Sequence, residues 1–499
     1  MMSDAKASEN QERRADERAT AAVSPEEPIA AALGDAAPAA AVESRELAQR
    51  LSNASVWALV VYVGGAALTT LAQLQIAWLI GVSGFGVYSY VFAWITLLGY
   101  SSTLGFNVAL LRFVPAYGAK DQWCLARGVI RFALAASFAT AVVVALVGAG
   151  IVAASAEHFA SERASMLIGM AAVPLITMYM LGATLVRAFG GVVSALVPER
   201  IFRDGLLLAL VGLAAMVTSQ PLDAPLVMAA LLVSSACTAA LVAVTALRFW
   251  PREMRQVKPA YAIGEWWSSV LPIMIMTALD ILISRSGVIV LGWTGNIRDA
   301  GIFALGFSFA MLLMLPRVAV STIFAPTVAA LHAQGDQSGL RGLFARASVL
   351  SLAGAAVLAL PLLLLLEPLL RWFGQDFVGC VPIVQILVIG QVFAAAAGPQ
   401  QTMLIMTGNE RAALTTMIAS AGLNIVGCVI GIALYGAIGA AVATTATMVF
   451  WNLTMAVSVR KHLGLGPGLA AAIARRRARA RETAAERDTR PAFAPPPGR

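Results

Sequence analysis

From residue 54 to residue 459 the chain is a succession of long apolar runs, parted by polar corners too short to fold by themselves. A run of about twenty apolar residues spans the hydrocarbon core of a bilayer as a helix, and in lipid a helix satisfies its own backbone donors and acceptors. Twelve runs are legible, with cores at 54–79, 88–110, 128–154, 165–187, 205–218, 225–247, 266–291, 301–325, 343–366, 380–405, 412–433 and 436–459. The fifth is the shortest and follows the charged run Glu199-Arg200-Ile201-Phe202-Arg203-Asp204. The last two are parted only by Tyr435-Gly436, which reads as a tight turn. Only 12% of the 499 residues are charged, against about 25% in a soluble domain. The predicted class is all-α: a polytopic membrane protein of twelve spans.

One stretch recurs. Gly86 to Arg131 lies over Gly301 to Arg346 at a constant offset of 215 residues. Gly86 falls on Gly301, Phe92 on Phe307, Asp121-Gln122 on Asp336-Gln337 and Arg131 on Arg346. The shared order is a glycine opening an apolar run, a polar corner, then an arginine entering the next run. The copies begin in corresponding spans of two halves, six crossings apart, so both halves start on the same side. The repeat is therefore parallel, its pseudo-two-fold axis along the membrane normal, and a path between like halves is how many transporters are built.

Basic residues orient the spans. One set of connections carries Arg112, Lys120, Arg127, Arg187, Arg200, Arg203, Arg248, Arg252, Arg255, Lys258, Arg341, Arg346 and Arg411; the other carries Arg163, Arg298 and Arg371. The rich set and both termini are expected in the cytoplasm. The organisation predicted is a disordered tail over 1–50, a six-span lobe over 51–248, a linker over 249–264, a second lobe over 265–462 and a basic, Pro-rich disordered tail over 463–499. The net charge of +8 then belongs to cytoplasmic segments and calls for no nucleic-acid partner. The arginine cluster Arg475 to Arg481 either touches anionic headgroups or is a solvated, topology-setting tail. Cys124, Cys237, Cys380 and Cys428 show no paired spacing, so neither a disulfide framework nor a metal site is expected.

Several segments resemble the polysaccharide-flippase branch of the multidrug/oligosaccharidyl-lipid/polysaccharide exporter superfamily. They are Gly84-Phe85-Gly86-Val87-Tyr88-Ser89 with Leu104 to Phe113, Gly301-Ile302-Phe303-Ala304 with Ala325-Pro326, and Glu367 to Gly374. Thr407-Gly408-Asn409-Glu410-Arg411, Asn424 and Tyr435 to Thr444 resemble the last hairpin. The resemblance covers residues 50–463. It implies an inner-membrane flippase for a polyprenyl-diphosphate-linked oligosaccharide of O-antigen or exopolysaccharide synthesis, working by rocking of two six-helix lobes. Membrane lipids, glycosyltransferases and a polymerase are the partners it suggests. The same superfamily includes cation-coupled multidrug exporters, which is the alternative.

Charges deep in a span are costly, so each is a functional candidate. Asp280 lies near the middle of span 7, and Arg285 five residues on is about 140° around the helix. Arg285 either meets a pyrophosphate or acidic sugar or makes a structural contact; Asp280 is a candidate for a coupling Na+ or H+, no other cofactor being expected. Arg317 follows Pro316 in span 8, where it either binds the headgroup phosphate or snorkels to the interface. Gln73, on one face with Thr69, and Asn107 could hydrogen-bond sugar hydroxyls or neighbouring helices. Arg187, Arg200 and Arg203 would receive the pyrophosphate at the cytoplasmic end of spans 4 and 5, although topology alone accounts for them. No Walker loop and no catalytic constellation is present, and His158, His332 and His462 are far apart in sequence. An enzyme is not expected; a membrane glycan polymerase or ligase would need a large extracytoplasmic loop.

Overall fold

The computed structural model describes residues 26–155, 162–218, 221–464 and 466, and all regular structure among them is helical. Expectations for residues 1–25 and for the arginine cluster of the C-terminal tail fall outside the described residues. The predicted tail over 1–50 is met from residue 26 onward by the helix Glu26–Ser102; alanine and glutamate, which crowd this stretch, are strong helix formers. Ala58–Arg499 is one compact unit.

Among the described residues, nine helices are long and apolar enough to cross a membrane. Two of them are pairs of spans. In Trp57–Gly118 the chain turns at Gly81 (φ 70°, ψ 175°), and in Glu410–Leu463 at Gly436 (φ 58°, ψ −135°), the Tyr435-Gly436 corner read from the sequence. Both angles lie where glycine alone is unstrained. The twelfth span is the fifth in order, and it differs from its predicted core. It starts at Val192 and runs through a π-helical turn, Val197–Phe202, into Arg203–Val217. The charged run thus lies within the span. A hydropathy reading ends the span at these charges; the structure keeps them because they face protein, and Glu199 and Asp204 are buried.

Span 2 is also not the continuous helix that its predicted core implies. It breaks at Thr103–Gly105, with Leu104 at φ 52° and Gly105 at φ 80°, and resumes as Phe106–Gly118. At the break the Thr103 carbonyl accepts from the Phe106 amide (2.9 Å) and from the Ser137 hydroxyl of span 3 (3.1 Å), so the broken turn is re-satisfied inside protein. Span 8 keeps helical geometry but tightens to a 3-10 turn at Leu312–Met314 before Leu315–Ala333.

Spans 3, 4 and 6 (Trp123–Ala154, Arg163–Ala188, Ala224–Arg248) pack with spans 2 and 5 into the first lobe. Spans 7 (Ile263–Trp293), 8, 9 (Gln337–Phe373) and 10 (Cys380–Ala397) pack with the last hairpin into the second. The linker between them carries the short helix Arg252–Gln256, whose Met254 is buried, and Arg127 of span 3 donates to its carbonyl ends at Arg255 and Val257.

The repeat is visible in the architecture. The two polar corners begin after Gly118 and Ala333, residues that fall on one another at the offset of 215. Its opening glycines meet across the two lobes: a Cβ on Gly301 would lie 3.0 Å from the Gly86 Cα, and one on Gly86 would lie 2.0 Å from the Ile297 carbonyl oxygen. Further along the same seam Tyr90, fully buried, sits where a side chain on Gly292 would be. The halves therefore touch backbone to backbone at the side opposite the termini.

Candidate functional site

Arg203 and Asp204 sit at the centre of the fifth span and anchor a closed polar network in the first lobe. Arg203 donates from Nε to Asp204 (2.7 Å) and from a terminal nitrogen to the Tyr179 hydroxyl of span 4 (2.9 Å). Asp204 also accepts from the hydroxyl of Thr69 in span 1. The Arg203 carbonyl, loosened by the π turn, accepts from Ser234 of span 6 (2.5 Å). Spans 1, 4 and 5 are pinned through this ion pair, and span 6 through the Arg203 backbone beside it. A buried pair with its remaining lone pairs and protons engaged is the geometry in which desolvation is offset.

A turn nearer the termini, Arg187 closes span 4 by bonding Thr184 (3.2 Å) and lies 3.7 Å from the carboxylate of Glu199. Arg200, beside Glu199, is different. Its guanidinium has no hydrogen-bond acceptor and no carboxylate within 4.0 Å among the described residues, and its neighbour is the ring face of Tyr62 in span 1, 4.9 Å from the centroid. Tyr62, Gly65 and Thr69 share a face of span 1; a side chain at Gly65 would fall 2.7 Å from the Arg200 Cβ, so the bare glycine lets spans 1 and 5 close on each other here. Arg200 and Arg203 are therefore inside the lobe, not in the connection before span 5 where the sequence reading put them. They stay there because spans 1 and 4 provide partners that a hydropathy profile does not register.

The second lobe contributes Asp280, Arg285 and Arg317. Asp280 and Arg285 form no ion pair: Arg285 points to the first lobe and lies over Phe92 of span 2, 5.3 Å from its centroid. Tyr100 is within electrostatic reach of both Arg200 and Arg285. Arg317 and Asp280 are electrostatic neighbours, yet neither has a hydrogen bond or an ion pair to its side chain among the described residues. Asp280 is exposed although it lies mid-span, and Arg285 and Arg317 are half-buried. Three guanidinium groups without acceptors, Arg200, Arg285 and Arg317, thus come from three spans and both lobes. By contrast an apolar hollow between spans 5 and 6, lined by Leu210, Val211, Leu226 and Val233 among others, offers no group that would orient a headgroup.

The neutral candidates divide. Asn107 is engaged in the span 2 break, its side chain accepting from Thr103 (3.1 Å) and its carbonyl from Thr184 (3.1 Å). Gln73, about two turns from Gly65 and three from Tyr62 on span 1, has a buried carbonyl oxygen without a partner among the described residues. Asn424 is interhelical glue, bonded to Ser286 of span 7 and to Thr447 of span 12 (3.3 Å). Tyr62, Phe92, Tyr179, Glu199 and Asp204 were not among the site residues expected from the sequence. Glu199 and Asp204 had a signal there, since each is flanked by arginine. The aromatic residues had none, because their value lies in which helix they face.

No protein-family model matches the chain, and no curated protein matches it. Solved structures match its fold. An inward-facing multidrug resistance MATE family transporter of the MOP superfamily is 14% identical, with a TM-score of 0.65 over 80% of this chain and 94% of that one. A MOP superfamily transporter from Pyrococcus furiosus, described by the reversed polarity of its binding pocket, is 14% identical, with a TM-score of 0.60 over 82% and 95%. The lipid II flippase MurJ, in an inward closed conformation, is 15% identical, with a TM-score of 0.57 over 81% and 87%. The likeness is one of fold: this is a multi-pass membrane protein with the twelve-helix, two-lobe architecture of MOP-superfamily transporters.

Proposed function

We propose that this chain is a flippase that carries a polyprenyl-diphosphate-linked oligosaccharide across a bacterial cytoplasmic membrane, for O-antigen or exopolysaccharide synthesis. The observation that carries this reading is the set of acceptor-free arginines, Arg200, Arg285 and Arg317. An unpaired guanidinium inside a bilayer-spanning bundle is expensive, and a diphosphate supplies the oxygens that such groups lack, in bidentate geometry. The headgroup would be taken up between the lobes from the basic, cytoplasmic side, with the lipid tail left in the bilayer. Rocking of the lobes about their seam would then expose it to the other side. Asp280, exposed beside Arg317, is the group we assign to a coupling proton or Na+. Glycosyltransferases and a polymerase would supply and consume the substrate.

The test is export in a host whose own flippase is deleted. The double variant Arg285→Ala/Arg317→Ala is expected to abolish polymer export at unchanged protein abundance; normal export would sink the assignment. A second reading, a cation-coupled multidrug exporter, draws on the same fold and on the exposed carboxylate of Asp280. Cationic drugs, however, would meet three unneutralised arginines. Drug resistance conferred on a sensitive host without any glycan phenotype would favour that alternative.

A further inference from the structure

We infer that Phe92 and Tyr62 are positioning residues for anion recognition, each holding an arginine by its face so that its hydrogen-bonding edge stays free for a diphosphate. The inference rests on the flippase reading and names how its site is prepared. A guanidinium donates in its plane and stacks through its face, so an aromatic ring engages the charge without consuming any of its N–H groups. A carboxylate does the reverse. Arg203 shows that outcome in this same molecule, with Nε given to Asp204 and a terminal nitrogen to Tyr179. Arg285 lies 5.3 Å from the Phe92 centroid and Arg200 lies 4.9 Å from that of Tyr62, and neither has an acceptor among the described residues.

The rings are themselves fixed. Phe92 stacks on Tyr88 (5.8 Å, 13° between planes), which meets Phe85 (6.0 Å), and Tyr88 and Phe85 are buried. This column along span 2 ends at Arg285. Tyr62 stands on span 1 beside Gly65, where the Arg200 backbone is in contact. One pair joins spans 1 and 5 of the first lobe; the other reaches from span 2 of the first lobe to span 7 of the second. A bound diphosphate would therefore find one prepared guanidinium on each lobe. Free diphosphate and a lipid-linked diphosphate present the same oxygens, and the two are separated by the choice of probe.

Full-length protein purified in detergent would be titrated calorimetrically with inorganic diphosphate and, separately, with farnesyl diphosphate. Phe92→Leu and Tyr62→Leu are each expected to weaken binding about two- to thirty-fold, while Phe92→Tyr and Tyr62→Phe stay near the parent. Fluorination of the Phe92 ring, which keeps its shape and drains its negative face, should weaken binding progressively with each added fluorine; a merely packing role would leave it unchanged. This variant decides the matter if the leucine substitutions fail to fold. Parent-like binding by the fluorinated and leucine variants overturns the inference and leaves the flippase reading standing. Failure of the parent to bind either probe overturns both. Tighter binding of the prenyl probe, lost in the same variants, supports a lipid-linked source; equal binding of the two probes, lost likewise, supports recognition of the diphosphate alone.

Discussion

At the scale of single residues, the five arginines of the candidate site fall into two kinds. Arg203 and Arg187 are spent on protein partners, and Arg200, Arg285 and Arg317 are not. Unequal responses to neutralisation follow. Removing one partner of a satisfied buried ion pair leaves an uncompensated charge, so Arg203→Gln and Asp204→Asn should each destabilise the protein by about 3–5 kcal/mol. Replacing a guanidinium that has no acceptor relieves the cost of burying an unpaired charge, against which Arg200 and Arg285 lose only a ring contact of about 0.5–2 kcal/mol, so Arg200→Gln, Arg285→Gln and Arg317→Gln should each cost far less stability than Arg203→Gln in the absence of substrate. Thermal unfolding in detergent measures both. Equal losses in the two groups would mean that the free arginines have structural partners after all. The sequence displayed all of these charges, but not which were paired, because pairing here joins residues on different spans, Arg203 with Tyr179 and Asp204 with Thr69.

Elements show where local chemistry rules and where it yields. The Asp336 corner is local. Its carboxylate accepts from the Gly339 amide and the Ser338 hydroxyl, both at 2.8 Å, and caps span 9. These bonds hold the Asp336 carboxyl below its ordinary value of 3.8. A carboxylate with a lowered folded-state pKa adds stability above its unfolded pKa and loses it as pH falls through the folded value. Melting temperature should therefore fall on acidification below about pH 4 more steeply in the parent than in Asp336→Asn; superimposable profiles would deny the cap its role. Its repeat counterpart, Asp121, instead adopts φ 54°, and no side chain caps the helix that follows. Spans 2 and 5 show the opposite case. Their apolar pattern predicts an unbroken helix in one and a short helix in the other. Contacts with spans 1, 3, 4 and 6 impose a break at Thr103–Gly105 and a π turn at Val197–Phe202.

For the molecule as a whole, the repeat-related glycines Gly86 and Gly301 close the two lobes on each other at the side opposite the termini. A leucine at either position cannot fit that seam and should hold it open. Ala93, fully buried in the same seam with Val288 and Leu291, supplies the reporter. With the exposed Cys124 and Cys237 changed to serine, Ala93→Cys should resist maleimide. Adding Gly86→Leu or Gly301→Leu should make it reactive, and continued protection would show that the seam is not what shuts this side. Legible in the sequence were the class, the number of spans, the Tyr435-Gly436 turn and the parallel repeat. Each depends on the length of an apolar run, on charge counted along the chain or on local backbone chemistry, and none needs a distant partner. Only the tertiary structure decided that a charged run lies inside span 5, that Arg285 faces Phe92 rather than Asp280, and that the two opening glycines touch. Those outcomes turn on which helix face meets which neighbour, and in a bundle apolar nearly all around each helix, hydrophobicity does not choose the face; close packing and the few buried polar groups do.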